Sequence, residues 1–170
     1  LKPLLLLFSW QHVVWLELLA QIALMIWVLV TAIRKKNISV AIVTLGSFLF
    51  MKPVLVLVSL TMSVCWILTL LAVEYMLLHH DKLHERQLYP EFFLVVGILT
   101  SYFDFLTYPI VTLGIPLCCY FLLECDKLWS NIKKLIGFGI SWAVGYAGMW
   151  AAKWVIADLT LHTGTIKDAI

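Results

Sequence analysis

Long apolar runs broken by short polar clusters organise this chain. A helix crossing a hydrocarbon layer of roughly 30 Å needs about 20 apolar residues, and its backbone polar groups cannot stay open to lipid, so these runs read as helices. Six are predicted. Trp10 to Ile33 follows Ser9, a suitable N-cap, and stops at Arg34-Lys35-Lys36. Ile38 to Met51 ends at Lys52-Pro53, and Val54 to Leu78 fills a full span. A polar loop, His79 to Tyr89, follows. The run from Phe92 to Leu123 is about 32 residues, too long for one comfortable span, and Asp104 interrupts it. It divides into Pro90 to Phe103 and Phe105 to Leu123, with Pro90 suited to a first helical position. Leu135 to Ala157 is the sixth helix.

The distribution of Lys and Arg supports the division, since cytoplasmic loops carry most of both. With six crossings and an outside start, the inner side holds Arg34, Lys35, Lys36, Lys82, Arg86, Lys127, Lys133 and Lys134. The outer side holds Lys2, Lys52, Lys153 and Lys167. One tilted helix from Phe92 to Leu123 would move the Lys127 to Lys134 cluster outward and Lys153 and Lys167 inward, weakening the bias to seven inside against five outside.

Composition narrows the class. Of 170 residues, 63% are hydrophobic and 13% charged, with a mean hydropathy of +0.99. An ordinary soluble domain is about half apolar and a quarter charged, which excludes that class. Twelve Lys and Arg against ten Asp and Glu exclude a nucleic-acid binder, and four cysteines without framework spacing exclude a disulfide scaffold. The expectation is an all-α, polytopic transmembrane bundle in the cell membrane, one domain over residues 1–170, in contact with membrane lipids. A start at Leu1-Lys2-Pro3 without Met suggests a C-terminal piece of a longer membrane protein, partnered by upstream transmembrane segments.

Two predicted helices, Ile38 to Met51 and Pro90 to Phe103, are about 14 residues or roughly 21 Å, shorter than the hydrocarbon layer. Their outer ends, at Lys52-Pro53 and Asp104, should be recessed into a hydrated pocket, because a charge at mid-bilayer costs about 2.5 to 3.5 kcal/mol. Asp104, among Thr100, Ser101, Tyr102, Phe103, Thr107 and Tyr108, suits a general base, a cation ligand or a partner for Lys; a surface Asp in an aromatic belt is the alternative. Lys52 suits a phosphate or a snorkelling interfacial role. Its Lys52-Pro53 context echoes Lys2-Pro3 and suggests a two-helix repeat, although apolar composition alone yields such matches. Lys153, between Trp150 and Trp154, is an interfacial anchor or a phosphate contact. Glu17 and Gln21, four apart, share one helix face and should point inward, for function or for helix packing. Tyr102 and Tyr108 complete the candidate substrate contacts.

Gly137 to Ala152 carries small residues four apart, Ser141/Gly145 and Gly148/Ala152, which predicts a tightly packed internal helix. His80 and His84 have a spacing that can hold a metal on a helix, yet no second pair accompanies them and they read better as a solvated face. No resident metal is assigned. The cysteines read as packing residues.

The segment from Tyr89-Pro90-Glu91-Phe92-Phe93 through Thr100-Ser101-Tyr102-Phe103-Asp104-Phe105-Leu106-Thr107-Tyr108-Pro109 to Gly114-Ile115-Pro116-Leu117 resembles a family of uncharacterised polytopic membrane proteins of Gram-positive bacteria. Leu1-Lys2-Pro3-Leu4 and Gly145-Tyr146-Ala147-Gly148-Met149-Trp150-Ala151-Ala152-Lys153-Trp154 are similar to the same family in the same order. That family's hydropathy is similar to that of GT-C glycosyltransferases, although their acidic first-loop motif is absent here. The resemblance implies a glycosyltransferase that uses a polyprenyl-phosphate-linked sugar in cell-envelope glycan assembly. Asp104 would serve as acid/base or as contact to a divalent cation, with Lys52 and Lys153 on phosphate. The alternatives are a transporter or flippase with a polar intramembrane path through Glu17, Lys52 and Asp104, and a scaffold subunit without chemistry.

Overall fold

The structure, a computed structural model, describes residues 10–51, 59–103, 108–124 and 127–161. Among the described residues six helices follow one another: α1 (Trp10–Arg34), α2 (Ile38–Phe50), α3 (Leu60–Glu85), α4 (Tyr89–Phe103), α5 (Pro109–Leu123) and α6 (Leu128–Leu161). No strand occurs among the described residues. Three helices are long and apolar enough to cross a membrane, over Val14–Arg34, Met62–Glu85 and Leu128–Leu159. The other three, α2, α4 and α5, have 13, 15 and 15 residues and measure about 20 to 22 Å. The expected division after Phe103 is present, and α5 opens on Pro109, whose missing N–H costs nothing at a first helical position.

Contacts between the helices fix their directions. Glu17 meets Ser63, Thr31 meets Glu74 and Lys35 meets Leu77, so α1 and α3 lie side by side and parallel. Phe93 meets Phe138 and Ser101 meets Lys153, which makes α4 and α6 parallel as well. α4 runs against α3, since Tyr75 stacks on Phe92 and His80 bonds Tyr89. The described helices thus form two sets of three of opposite direction, each with its first and third helices packed together. The turns after α1, α3 and α5 gather at one pole, with the eight Lys and Arg expected on the inner side at or near it.

Two of those turns are built alike. Lys36 and Gln87 adopt left-handed backbone, φ 59° and 54°. At the first, Asn37 N–H donates to Ala32 O and Lys36 N–H to Ile33 O; at the second, Leu88 donates to Leu83 and Gln87 to His84. Both are Schellman caps, which satisfy helix-end carbonyls and reverse the chain within three residues.

The expected loop from His79 onward is helical to Glu85, with a kink at His79 (φ −111°, ψ 17°). Side chains serve the carbonyls just before the kink. Lys35 Nζ donates to Leu77 O at 2.5 Å and Leu78 O at 3.4 Å, and the His79 ring lies 3.2 Å from Tyr75 O. With those groups satisfied, the helix bends without leaving orphaned acceptors.

Packing centres on α3, which meets α1, α4 and α5; Trp66, Leu70, Val73 and Met76 are fully buried there. A second cluster of Tyr89, Phe93, Tyr120 and Phe138 joins α4, α5 and α6, with ring centroids 4.6 to 5.9 Å apart. Such pairs each contribute about 0.5 to 1.5 kcal/mol beyond burial. The sixth helix departs from expectation. It is peripheral, with Ile136, Ile140 and Val144 exposed and open space at Gly137, Gly139 and Gly148. Only its Phe138, Trp142 and Gly145 face is buried, against α4 and α5.

Candidate functional site

A cavity of about 550 Å³ lies on α3 between Trp27 of α1 and Phe92, Val95 and Leu99 of α4. Its floor comes from Leu71 and Tyr75 of α3, and it extends toward Leu88 and Glu91 at the basic pole. The α1 and α4 backbones make no close approach, so the cavity is a groove between two helices that flank the same third one.

Glu74 is the unexpected member of this wall. It sits in the middle of an apolar helix, 3% exposed, and its Oε1 accepts the Thr31 hydroxyl at 2.7 Å. Its Oε2 has no partner among the described residues. Burying a carboxylate with one oxygen unsatisfied is costly, and such groups mark functional sites within membranes. Sequence reasoning passed over it, although the rule that selected Glu17, an acid inside an apolar span, selects Glu74 equally.

Glu17 and Gln21 do share a face of α1. Glu17 is half-buried and accepts the Ser63 hydroxyl of α3; Gln21 is 1% exposed, with neither amide atom partnered among the described residues. Glu17, Gln21, Thr31 and Lys35 follow one line along α1 toward α3, so a polar seam runs the length of this pair with Leu24 and Val28 as its dry middle.

Asp104 and Lys52 lie outside the described residues. Lys153 and Tyr102 are brought together. The Lys153 ammonium donates to Ser101 O and, at 3.0 Å, to Tyr102 O, and stands 5.7 Å from the Tyr102 ring centroid. It therefore caps the C-terminal end of α4, where a cation complements the helix dipole. Tyr108 precedes α5 and is half-exposed. Glu17 belongs to the α1–α3 pair, on the other side of the groove from α6.

At the basic pole a second polar cluster ties three helices. Glu124 Oε2 accepts the Tyr120 hydroxyl at 2.7 Å and Lys134 Nζ at 3.2 Å, and Oε1 meets His84 Nδ1. Burial by itself would raise this carboxyl, but the Tyr120 hydroxyl, the Lys134 ammonium and the His84 charge together hold it below its ordinary value of 4.5. His80 bonds the Tyr89 hydroxyl at 2.6 Å. The two histidines thus serve helix packing, and among the described residues no group of three His, Cys, Asp or Glu stands together to hold a metal.

No known protein family, no curated protein and no solved structure matches this chain.

Proposed function

We propose that this chain is a multi-pass membrane protein with all six helices in the bilayer and the basic pole toward the cytoplasm. In this reading it transports an amphipathic substrate by way of the groove between α1 and α4. Glu74 carries the reading: a carboxyl group buried within an apolar helix, one oxygen without a partner among the described residues, in the wall of a cavity that fits a small molecule. Two sets of three helices of opposite direction add support, since inverted units suit a site reached alternately from either side.

A thiol placed at Leu71, in the groove floor, tests this in oriented vesicles of a chain otherwise free of cysteine. A membrane-impermeant maleimide should reach it from both sides, in proportions that change with an imposed pH gradient. Labelling from one side alone under every gradient would remove transport.

The second reading is the glycosyltransferase that uses a polyprenyl-phosphate sugar, with Asp104 as acid/base. Its support is the resemblance described above, together with half-exposed Tyr102 and Tyr108 at the helix ends flanking Asp104 and the ammonium of Lys153 beside Tyr102. Asp104→Asn, read by envelope-glycan composition in cells, should alter the glycan; an unchanged glycan at normal expression removes Asp104 from any chemistry.

A further inference from the structure

We infer that the groove binds a lipophilic monocation, an ammonium, guanidinium or phosphonium centre on an apolar body. The inference rests on the transport reading and names its substrate class.

Charge complementarity decides the sign. Among the described residues that line the groove, Glu74 and Glu91 are the charged ones and both are acids, while Lys35, outside the lining, is committed to the carbonyls of Leu77 and Leu78. An anionic headgroup entering it would meet two carboxylates and no cation from the wall, whereas a cation meets attraction from both. Glu91 is exposed in the first turn of α4, at the basic-pole end, while Glu74 is buried deeper in the wall. A cation in the groove therefore meets a solvated acid at one end and a desolvated one in the wall, where the same charge interacts more strongly.

Glu74 lacks the second partner that a buried carboxylate needs. Thr31 supplies one hydrogen bond, and Oε2 has none among the described residues. The terminal torsion of a Glu side chain is soft, so a small rotation presents Oε2 to a ligand. Aromatic walls suit the same occupant. Trp27, Tyr75 and Phe92 all line the groove, and the Tyr75 and Phe92 rings lie nearly parallel, 6° apart in plane, with centroids 5.9 Å apart. The negative faces of such rings attract a cation while their area holds an apolar body. The cavity volume lies within the range of about 300 to 1,000 Å³ that small-molecule sites occupy. α1 and α4 make no close backbone approach across the groove, which leaves room between them for an apolar body.

Tetraphenylphosphonium and tetraphenylborate have one shape and opposite charge, which makes them the test pair. Equilibrium dialysis of the full chain in nanodiscs should show saturable binding of the phosphonium and no competition from the borate. Glu74→Gln should weaken phosphonium binding at least about tenfold, and Glu91→Gln less than about threefold. Equal binding of the two ions, or undiminished binding by Glu74→Gln, overturns the inference. The charge preference is read on the unaltered chain and holds the inference to account even where Glu74→Gln fails to fold. Phosphonium uptake into vesicles under a pH gradient tests the transport reading separately. Glu74-dependent binding without uptake keeps the cation site and sinks transport; uptake that Glu74→Gln leaves intact does the reverse.

Discussion

Gly97 of α4 and Gly145 of α6 let two parallel helix backbones touch. A Cβ on Gly97 would fall closer than 3.0 Å to the Trp142 carbonyl oxygen, and one on Gly145 equally close to that of Leu94. Neither neighbour is a flexible side chain, so an added methyl must push the helices apart.

Gly97→Ala and Gly145→Ala should therefore each cost about 2 kcal/mol or more, in the range for overpacked sites. Gly139→Ala and Gly148→Ala, at positions with nothing within 4 Å, should be neutral or slightly stabilising through helix propensity. Thermal unfolding midpoints in one detergent distinguish the pairs. Four equal effects would show that α6 is not anchored through this crossing.

Acidification should loosen the basic pole. Glu124 is held below its ordinary value by Tyr120, Lys134 and His84, so its contribution is complete above about pH 4.5 and declines as the pH falls toward the lowered value. Glu124→Gln should flatten this acid limb of the stability curve. The check is the unfolding midpoint from pH 6 down to about pH 3 for both proteins.

Gln87→Gly should stabilise the chain by about 0.5 to 1 kcal/mol, because a side chain at φ 54° is strained where glycine is not. The same change at Arg86, outside the left-handed region, should destabilise. A denaturant titration in mixed micelles reads both.

Removal of the α4 cap should act on stability. Lys153→Met should cost about 0.5 to 1 kcal/mol by leaving the Ser101 and Tyr102 carbonyls without their donor, and Lys153→Arg should restore most of it. Tetraphenylphosphonium affinity should stay within about twofold in both variants, because Lys153 lies outside the groove lining.

Helix ends were the most legible part of the sequence. The basic run after Ile33 and the Pro90 signal each mark a boundary that the structure places within one residue. The extension of α3 past His79 was not legible, since His79 to Glu85 has the polarity of a loop. It stays helical because Lys35, distant in sequence, serves the carbonyls at its kink. The periphery of α6 was also misjudged: small residues permit close approach, but which of them meets a neighbour depends on where α4 lies, and only Gly145 does so through backbone. The groove exists because the α1 and α4 backbones make no close approach, a relation between distant segments that no local pattern encodes. Of the residues singled out at the start, Lys153 and Tyr102 stand together, while Glu17 belongs to a different helix pair and Glu74 was overlooked.

The two stubby helices α2 and α5 stand side by side, with Ile42, Leu49 and Ile110 turned outward. In the proposed arrangement, with all six helices in the bilayer, acyl chains against this flank meet an oily wall of about 20 Å. Lipids there must shorten or splay, at a fraction of a kcal/mol for every Å of mismatch. The protein should accordingly dimple its surroundings and partition toward the thinner of two bilayers.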